Sequence, residues 1–355
     1  MRSLELMSSA AARNGLPRLL LVVLASLWLL PVSAAPKTDV VIFKNGDKLT
    51  GEFKSLRRGR LNLNTDATGT IAIEWDKISG VVSNQNIQVE TSNGTRHFGS
   101  LTFSEKDPGL TVVTVDGPLT LDTKRVIVME PIEDRGIHAL DVDLSLGYDF
   151  TKAGGVTQGN LGVKIDYRTL LRIESLKFST TISDSDSQES SKRLNLGLRH
   201  TRLWNNRWFS NGSLSFDQND ELGLDLRTSI GAGGGRYIVQ SNSMLWSLEG
   251  GLQVSRENLL TEDEDTDSVE ATFTGQFDWF LFQDPEFDWS TTLQVIPSLT
   301  ESGRVRTEFD TALQWELIND LKWGIALYAS FDNQPQSQTG STSDYGVNTT
   351  VSYEF

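Results

Sequence analysis

The chain has 355 residues, in which 32 Lys and Arg stand against 47 Asp and Glu, for a formal net charge of −15. Such an acidic protein is not expected to bind nucleic acid or an anionic membrane surface. The sequence contains no cysteine, so disulfide bonds and thiolate chemistry are excluded. The length favours two domains.

Residues 1–34 have the pattern of a secretory signal peptide. Three arginines precede an apolar run at residues 19–30, and Val-Ser-Ala at residues 32–34 supplies a small-residue cleavage site. This run is too short to cross a bilayer as a helix, and no later stretch is long and apolar enough to do so. The sequence therefore predicts export and removal of this segment.

Residues 36–133 contain an internal repeat at an offset of 48 residues. The Asn-Gly pair that ends at Gly46 recurs at Gly94, and Gly69 recurs as Gly117. Asn-Gly between short apolar runs is typical of a β-hairpin turn. The repeat predicts two tandem small β-barrels of SH3-like type, and a single continuous β-sheet module is the alternative. A boundary is expected near residues 131–137.

Residues 137–355 show period-two alternation almost throughout and no convincing helix. Twelve strands are predicted, at 138–150, 159–169, 172–184, 191–202, 207–218, 224–238, 243–255, 266–281, 287–300, 303–317, 321–333 and 343–355. These strands are longer than the five or six residues on which strands of soluble proteins centre. Short turns largely alternate with longer polar loops, although the predicted link at 301–302 is an exception.

Each predicted strand has one apolar and one polar face, and aromatic residues gather near the short turns. These aromatic residues are Trp204, Trp208, Phe282, Phe287, Trp289, Trp323, Tyr353 and Phe355. A soluble sandwich would not need such long strands, whereas a bilayer-spanning barrel needs long tilted strands, an even strand number and interfacial aromatics. The sequence predicts an all-β fold: a 12-stranded antiparallel transmembrane β-barrel preceded by tandem small SH3-like repeats.

Stretches such as NRWFSNGSLSFDQNDELGLDLRTSIGAGGGRYIVQ resemble the uncharacterised salt-induced outer-membrane protein family of Gram-negative bacteria. The front segment, with VIFKNGDKLTGEFKSL, resembles the periplasmic domain that some members carry. The resemblance implies an outer-membrane barrel with its amino-terminal domain in the periplasm, and it brings no catalytic residue. In outer-membrane barrel families a terminal aromatic strand is read by the barrel-assembly machinery, and Val351, Tyr353 and Phe355 match that signal. The last strand is expected to close the barrel against the first.

Catalytic patterns are absent from the sequence. The histidines are His97, His138 and His200, and His200 falls on the apolar face near a short turn, as an interfacial side chain would. Neither G-x-S-x-G nor H-E-x-x-H occurs. The glycine run at 231–237 lacks the third glycine and the following helix of a phosphate loop. No enzyme activity and no cofactor are expected.

Two charged segments invite a ligand hypothesis. Asp263, Asp265 and Asp267 have the spacing of the first ligands of a calcium loop, but Ser268 and Thr274 replace residues that an EF-hand requires. The loop is expected to be a solvated acidic loop, with a weak divalent site shared with lipopolysaccharide as the alternative. The basic turn at 57–60 is expected to be solvated, or else to touch an anionic envelope polymer.

The polar strand faces would line the barrel lumen with charges of both signs, which tend to pair in a confined space. The candidate lumen network is Asp141, Asp143, Asp166, Arg168, Arg199, Arg227, Arg304, Arg306, Glu308 and Asp310. Such pairing favours a rigid, partly filled interior over an open pore.

Two main functions follow from this organisation. The first is an envelope anchor or binding protein whose periplasmic β module contacts an unknown envelope partner. The second is a narrow passive channel with a mild preference for cations, and a membrane-embedded hydrolase is a remote third. The expected partners are outer-membrane lipid and lipopolysaccharide, the barrel-assembly machinery, and an unidentified periplasmic partner of residues 36–133.

Overall fold

The computed structural model describes residues 38–104, 107–132, 140–151, 156–185, 188–259, 265–283, 285–318, 321–335 and 341–353. The chain separates into two compact units, Met1–Pro36 and Lys37–Phe355, and every described residue belongs to the second. The predicted signal peptide and the terminal Phe355 lie outside the described residues.

The first part of the second unit is a nine-stranded antiparallel sheet, called the β module below. Its strands are β1 (Asp39–Phe43), β2 (Lys48–Arg57), β3 (Arg60–Thr65), β4 (Gly69–Glu74), β5 (Ile78–Thr91), β6 (Arg96–Ser104), β7 (Asp107–Thr114), β8 (Gly117–Leu121) and β9 (Val126–Pro131). They pair in the order β4-β3-β2-β1-β5-β6-β7-β8, and β9 pairs with both β2 and β5. Single 3-10 turns occur at Trp75–Lys77 and Thr123–Arg125.

Equivalent elements recur along the β module. β2 begins at Lys48 and β6 at Arg96, and the two 3-10 turns begin at Trp75 and Thr123. The second half of β5 pairs with β6 and β9, as β1 pairs with β2 and the first half of β5. The equivalent positions also meet in space, because the indole Nε1 of Trp75 donates a 2.8 Å hydrogen bond to the carbonyl of Thr123.

The two sets of elements share one sheet and one hydrophobic core. Buried residues of the first set, such as Phe53 and Leu61, belong to the same cluster as Leu110 and Met129 of the second. Because β5 is common to both sets, neither encloses a core by itself. The description as two separate SH3-like barrels therefore stays a prediction, and the arrangement has the continuous sheet of the alternative interpretation.

The rest of the unit is a twelve-stranded antiparallel sheet in simple sequence order, β10 to β21. The strands are β10 (Leu140–Thr151), β11 (Val156–Arg168), β12 (Arg172–Ser185), β13 (Gln188–Leu203), β14 (Trp208–Asn219), β15 (Leu224–Gln240), β16 (Met244–Leu259), β17 (Thr266–Leu281), β18 (Phe287–Pro297), β19 (Val305–Ile318), β20 (Leu321–Asp332) and β21 (Ser343–Tyr353). The predicted strand number and order are those observed, and the long strands are present.

Some predicted boundaries are wrong. β18 ends at Pro297 and β19 begins at Val305, so the connection between them is much longer than the predicted link at 301–302. Pro297 ends the strand because it has no N–H to donate to a further ladder bond. β16 extends four residues beyond the predicted end, to Leu259, and carries Glu257 into the sheet.

The twelve-stranded sheet keeps an apolar outer face and a polar inner face along its whole width. Leu198, Leu214 and Ile230 lie side by side on the outer face of adjacent strands. The same face carries aromatic neighbours at the end with short turns, where Trp279 pairs with Trp289 and is flanked by Trp246 one strand away. The end with the short turns is called the turn end, and the other the loop end.

Inner-face side chains meet across the sheet, so the sheet curls around an interior. Arg193 on β13 lies 3.0 Å from Asp344 on β21, although seven strands separate them in the pairing order. The described residues give no backbone pairing between β10 and β21, so closure of the barrel stays a prediction. Among the described residues no helix is long and apolar enough to cross a membrane.

Candidate functional site

Six charged side chains converge inside the loop end, and we call them the loop-end cluster. They come from β15, β16, β17, β19 with the residue just before it, and β20. Its members are Arg227, Glu257, Glu270, Arg304, Arg306 and Asp332. Each of the six is buried, and Arg304, Glu257 and Glu270 are almost completely so. A buried charge is tolerated only when it is paired and hydrogen-bonded, so the internal contacts of the cluster decide whether this end is stable.

Arg304 is at the centre of the cluster. Its guanidinium donates to Asp332 at 2.7 Å and to Glu257 at 3.0 Å, and a third contact reaches Glu301 at 2.9 Å. Glu257 also accepts from Arg227 at 2.8 Å, so one carboxylate joins two arginines. Burial alone would lower the pKa of Arg304, but the hydrogen bond to Asp332 and the nearby carboxylates raise it above its usual value.

Arg306 and Glu270 form a second pair beside the first. The Arg306 guanidinium donates to both carboxylate oxygens of Glu270, at 3.1 and 2.6 Å, which is the bidentate geometry that favours strong pairing. Glu270 also accepts from Gln253 at 2.7 Å and from Ser255 at 2.8 Å. Its lone pairs are therefore used by three donors, which offsets the loss of solvation.

Further pairs line the interior between the two ends. The Ser175 hydroxyl donates to Asp166 at 2.5 Å, and Lys164 lies 3.1 Å from the same carboxyl group. Arg199 forms an ion pair with Glu249 on β16. Asp310, by contrast, is exposed. The interior is consequently polar and only partly filled at this level.

At the turn end the β module contacts the sheet through its basic turn. Arg58 lies 2.8 Å from Asp288 and also stacks over the ring of Phe280, 4.3 Å from its centroid. Arg60 pairs with Glu286 and lies 3.6 Å from the centroid of the Phe282 ring. The basic turn thus packs against the segment that joins β17 and β18, with the Arg58 side chain still about half exposed.

Gly59 allows this close approach. It has a positive φ of +73°, and a Cβ at this position would come 2.5 Å from the carbonyl oxygen of Asn242 in the turn between β15 and β16. The side chain of Asn242 in turn donates to the carbonyl of Val126 at 2.8 Å. Glycine is required here both for its backbone conformation and for its lack of a side chain.

The second half of the β module makes a separate set of contacts with the turn end. Gly94 is buried against the backbone N of Arg207, and Arg96 reaches the carbonyl of Trp204 at 3.4 Å. On the inner face, Arg168 lies 3.5 Å from Glu130 on β9. The β module is therefore held against several turns of the sheet by ion pairs, backbone contacts and cation–π contacts.

The predicted lumen network is distributed over these three levels. Arg227, Arg304 and Arg306 belong to the loop-end cluster, whereas Asp166 and Arg199 have separate partners between the two ends, Lys164 and Glu249 respectively. Arg168 has its partner in the β module instead of in the lumen. Among the described side chains Glu308 has no hydrogen bond or ion pair, although it lies near Arg306. Asp143 is exposed, and the side chain of Asp141 lies outside the described residues.

Residues of the predicted assembly signal lie on the last strand. Val351 is exposed on the outer face of β21, opposite Trp323. Tyr353 is the final residue of β21, but its side chain, like Phe355, falls outside the described part.

Sequence reasoning missed Glu257 and Asp332, which complete the loop-end cluster. Glu257 was missed because the predicted strand ends at residue 255. It nevertheless continues the inward-facing alternation of Glu249, Gln253 and Ser255. Asp332 lies on the inward parity of its predicted strand. Continuing the alternation of β16 to the polar loop would have included Glu257, whereas Asp332 already lay within the predicted strand at 321–333.

The remaining chemical hypotheses have structural explanations. Asp267 lies on β17 and pairs with Arg256 at 2.7 Å, so it is not a free calcium ligand. Within the described residues no group of metal-ligating side chains is large enough to hold a metal ion. In the glycine run, a Cβ at Gly235 would come 2.5 Å from the Phe209 ring, so this glycine leaves room for packing.

Residues 144–355 match the family described as "Protein of unknown function, DUF481". The chain belongs to this family. The DUF481 match spans the twelve-stranded sheet from within β10 and leaves the β module outside it. The family description names no activity and makes no reference to salt induction, so that part of the resemblance stays a prediction. The comparison with curated proteins gives no match.

Two solved structures show a distant likeness to this DUF481 protein. A NanC porin has a TM-score of 0.38 and 11% identity, covering 60% of this chain and 100% of the porin chain. A bacterial polysaccharide outer membrane secretin has a TM-score of 0.32 and 11% identity, covering 77% of this chain and 99% of its own. TM-scores this low carry no argument about this protein, so its family and fold rest on the family match and the strand pattern.

Proposed function

We propose that this DUF481 protein is an outer-membrane β-barrel that anchors its β module at the periplasmic mouth, where the module contacts another envelope component. The single observation that carries the proposal is the docking of the Arg58–Arg60 turn on the turn end of the sheet. Short turns of bacterial barrels face the periplasm, so the docked module would lie on that side of the membrane.

The character of the outer face supports membrane insertion. Leu144, Leu146 and Val347 are among many large apolar side chains that the outer face exposes. An apolar band this extensive is costly in water and favourable in lipid. The aromatic residues of its turn end would stand at the level of the lipid headgroups.

The closed character of both ends favours an anchor over a channel. The loop-end cluster fills one mouth with paired charges, and the β module covers part of the other. A passive pore needs a continuous wet path, whereas paired and buried charges leave little free ionic surface for a solute. The alternative function, a narrow cation-preferring channel, would require the loop-end cluster to open.

The β module also presents an exposed apolar patch suited to a protein partner. Phe98 on β6 lies on the same face as Val113 on β7 and Pro118 on β8, and Val115 lies in the turn between β7 and β8. Val115 is fully exposed, at 101%, and Phe98 is 47% exposed. The equivalent positions 48 residues earlier are Thr50, Thr65, Ala67 and Thr70, which are mostly polar. The patch is therefore not a requirement of the repeat fold, and β8 beside it is the last strand in the pairing order of the described part of the sheet.

Protease accessibility tests the anchor proposal. In intact cells producing the protein, added trypsin should leave the β module whole, because the outer membrane shields the periplasm. After osmotic opening of that membrane the module should be cleaved while the barrel fragment stays membrane-bound. Cleavage of the module in intact cells would contradict the proposed orientation.

The patch is tested by cross-linking in opened cells. The double variant Phe98→Thr and Val115→Ala gives this face the residue types of the first repeat, and it should lose adducts that the wild-type protein forms. Thr50→Ala, at the position equivalent to Phe98, is the matched control and should keep them. Unchanged adducts in the double variant would exclude the patch as the contact surface.

A further inference from the structure

A shallow groove of about 530 Å³ crosses the outer face of β11 to β15 near the turn end. Its walls are almost entirely apolar, and they include Ile165, Leu176, Leu198, Leu214 and Ile230, which occupy one continuous row across the five strands. The groove therefore lies on the surface that faces lipid in the proposed orientation.

The groove forms because the outer face carries small residues next to that row, on the side of the turn end. Gly212 lines the groove, and its outward neighbour on β15 is Ala232. A Cβ at Gly212 would meet only the carbonyl oxygen of Gly231, at 3.9 Å, so the space in front of it is open. A long side chain could fill this space without moving the backbone.

Two arginine side chains lie just beyond the groove, on the side of the turn end. Arg172 and Arg202 are direct cross-strand partners on the outer face, and both are exposed. Like charges placed directly opposite each other are destabilising, and neither guanidinium forms an ion pair with any described side chain. Between them and the apolar row, Nδ1 of His200 lies 2.8 Å from the Glu174 carboxylate, and both residues also line the groove.

An aromatic ring packs against Arg202, one of the two arginines. The Arg202 guanidinium on β13 lies 4.6 Å from the Trp204 ring centroid, and the Arg236 guanidinium on β15 lies 5.6 Å from the ring centroid of Trp208 on β14. Tryptophan prefers the headgroup region of a bilayer. The arginine pair is thus expected at the depth of the lipid phosphates, with the groove running from it into the acyl region.

We propose that this groove is a specific site for one anionic phospholipid of the leaflet next to the β module. One acyl chain lies along the apolar row, and the phosphodiester bridges Arg172 and Arg202, which relieves the repulsion between them. An anionic lipid is favoured over a zwitterionic one because a zwitterionic headgroup places its own cation near the two arginines. The proposal rests on membrane insertion of the sheet.

Native mass spectrometry of the refolded mature chain in a non-ionic detergent tests the site. The probes are phosphatidylglycerol and phosphatidylcholine with identical acyl chains. The wild-type protein should retain one phosphatidylglycerol in preference to phosphatidylcholine. The double variant Arg172→Ser and Arg202→Ser should bind phosphatidylglycerol roughly tenfold more weakly, since each interfacial arginine adds to the attraction for an anionic lipid.

Two further variants separate the headgroup contact from the groove. Gly212→Leu fills the groove and should weaken the retention of both lipids. Arg256→Ser removes an exposed outer-face arginine at the loop end and should bind lipid as the wild type does. The water-soluble headgroup glycerophosphoglycerol should not compete, because it has no chain to occupy the groove.

Equal retention of both lipids by the wild type would overturn the proposal, and so would unchanged binding in the double arginine variant. Effective competition by the free headgroup would show that the site binds a phosphate group without an acyl chain, and it would also overturn the lipid proposal. Each sample is also run unboiled on a detergent gel. Lipid loss with the folded band preserved bears on the groove alone, whereas a wild type without a folded band contradicts the membrane barrel itself.

Discussion

Arg304 and Glu257 lie 3.0 Å apart and are both almost completely buried, although one precedes β19 and the other belongs to β16. Two strands stand between them in the sheet, so only curling of the sheet brings them together. Their pairing neutralises charge in the loop-end mouth and ties one wall of the interior to another. It is therefore a structural constraint and, in the proposed barrel, a barrier to ions.

The first prediction concerns conductance. In planar bilayers the wild-type protein should conduct little or not at all, because the loop-end cluster is paired and buried. Replacing Arg304 and Arg306 together by Ser should raise the conductance and produce cation selectivity, since Glu270 and Asp332 then lose their cationic partners and Glu257 keeps only Arg227.

Arg256→Ser is the control for that experiment, because Arg256 is an exposed outer-face residue at the same end. It should leave conductance at the wild-type level. A large anion-selective pore in the wild-type protein would refute both the charge assignment and the preference for an anchor over a channel.

The second prediction concerns stability. Glu257→Gln removes the carboxylate charge that Arg227 and Arg304 share, and leaving the buried Arg227 without its charged partner should cost about 3 kcal/mol. Glu308→Gln should cost much less, since Glu308 makes no hydrogen bond or ion pair with the described side chains. The temperature at which the folded gel band converts to the unfolded one measures the difference. Equal conversion temperatures would show that the cluster does not stabilise the sheet.

The third prediction concerns docking of the β module. Gly59 and Gly69 have nearly the same positive φ, +73° and +71°, but only Gly59 has a neighbour that a Cβ would strike. Alanine should therefore impose a similar backbone cost of about 1 kcal/mol at both positions, while only Gly59→Ala should push the module away from the turn end.

Cysteines introduced at Asp76 and Gln283 report on this docking, because their side chains are hydrogen-bonded across the interface and the chain has no other cysteine. A short bismaleimide should link them efficiently in the parent and in Gly69→Ala, and poorly in Gly59→Ala. Efficient linkage in all three proteins would mean that the basic turn does not determine docking.

The repeat supplies a second matched pair for the same question. Gly46 and Gly94 occupy equivalent Asn-Gly turns, but Gly46 is exposed with nothing nearby, while Gly94 is buried against Arg207. Gly94→Val should increase hydrogen exchange in the turn between β13 and β14, and Gly46→Val should not. An equal rate of hydrogen exchange in both variants would show that the turn between β13 and β14 is not part of the interface.

The fourth prediction concerns assembly and closure. Unboiled protein should migrate differently from boiled protein on detergent gels, because a closed barrel resists SDS. Deleting Phe355, or Tyr353 and Phe355 together, should lower the amount in the outer membrane and leave protein in the periplasm or degraded. Deleting Glu354 alone would shift Phe355 by one position and should be similarly harmful, because the aromatic ring would then fall on the opposite face.

That shift distinguishes a positional signal from simple chain length. Normal outer-membrane levels in the variant lacking both aromatic residues would show that assembly does not depend on them. Identical migration of boiled and unboiled samples, with a helical circular dichroism spectrum, would reject the barrel.

The amino-acid sequence by itself determined the strands and their faces. Alternation of apolar and polar residues is a local property, so twelve long strands, their order and the outward aromatic residues could be predicted without any knowledge of packing. The 48-residue spacing of Gly46 and Gly94 likewise indicated the recurring elements of the β module. The predicted strand boundaries were wrong where the alternation rule was incomplete, as at Pro297 and at the end of β16.

Only the tertiary structure decided which of these residues meet. Arg58 and Asp288 are 230 positions apart in the chain, and no periodicity relates them. The sharing of β5 by both halves of the β module, the convergence on Arg304 and the arginine pair beside the groove depend in the same way on strand register and on the curl of the sheet. These relationships are non-local, because each is fixed by how whole strands pack and not by the residues next to it in sequence.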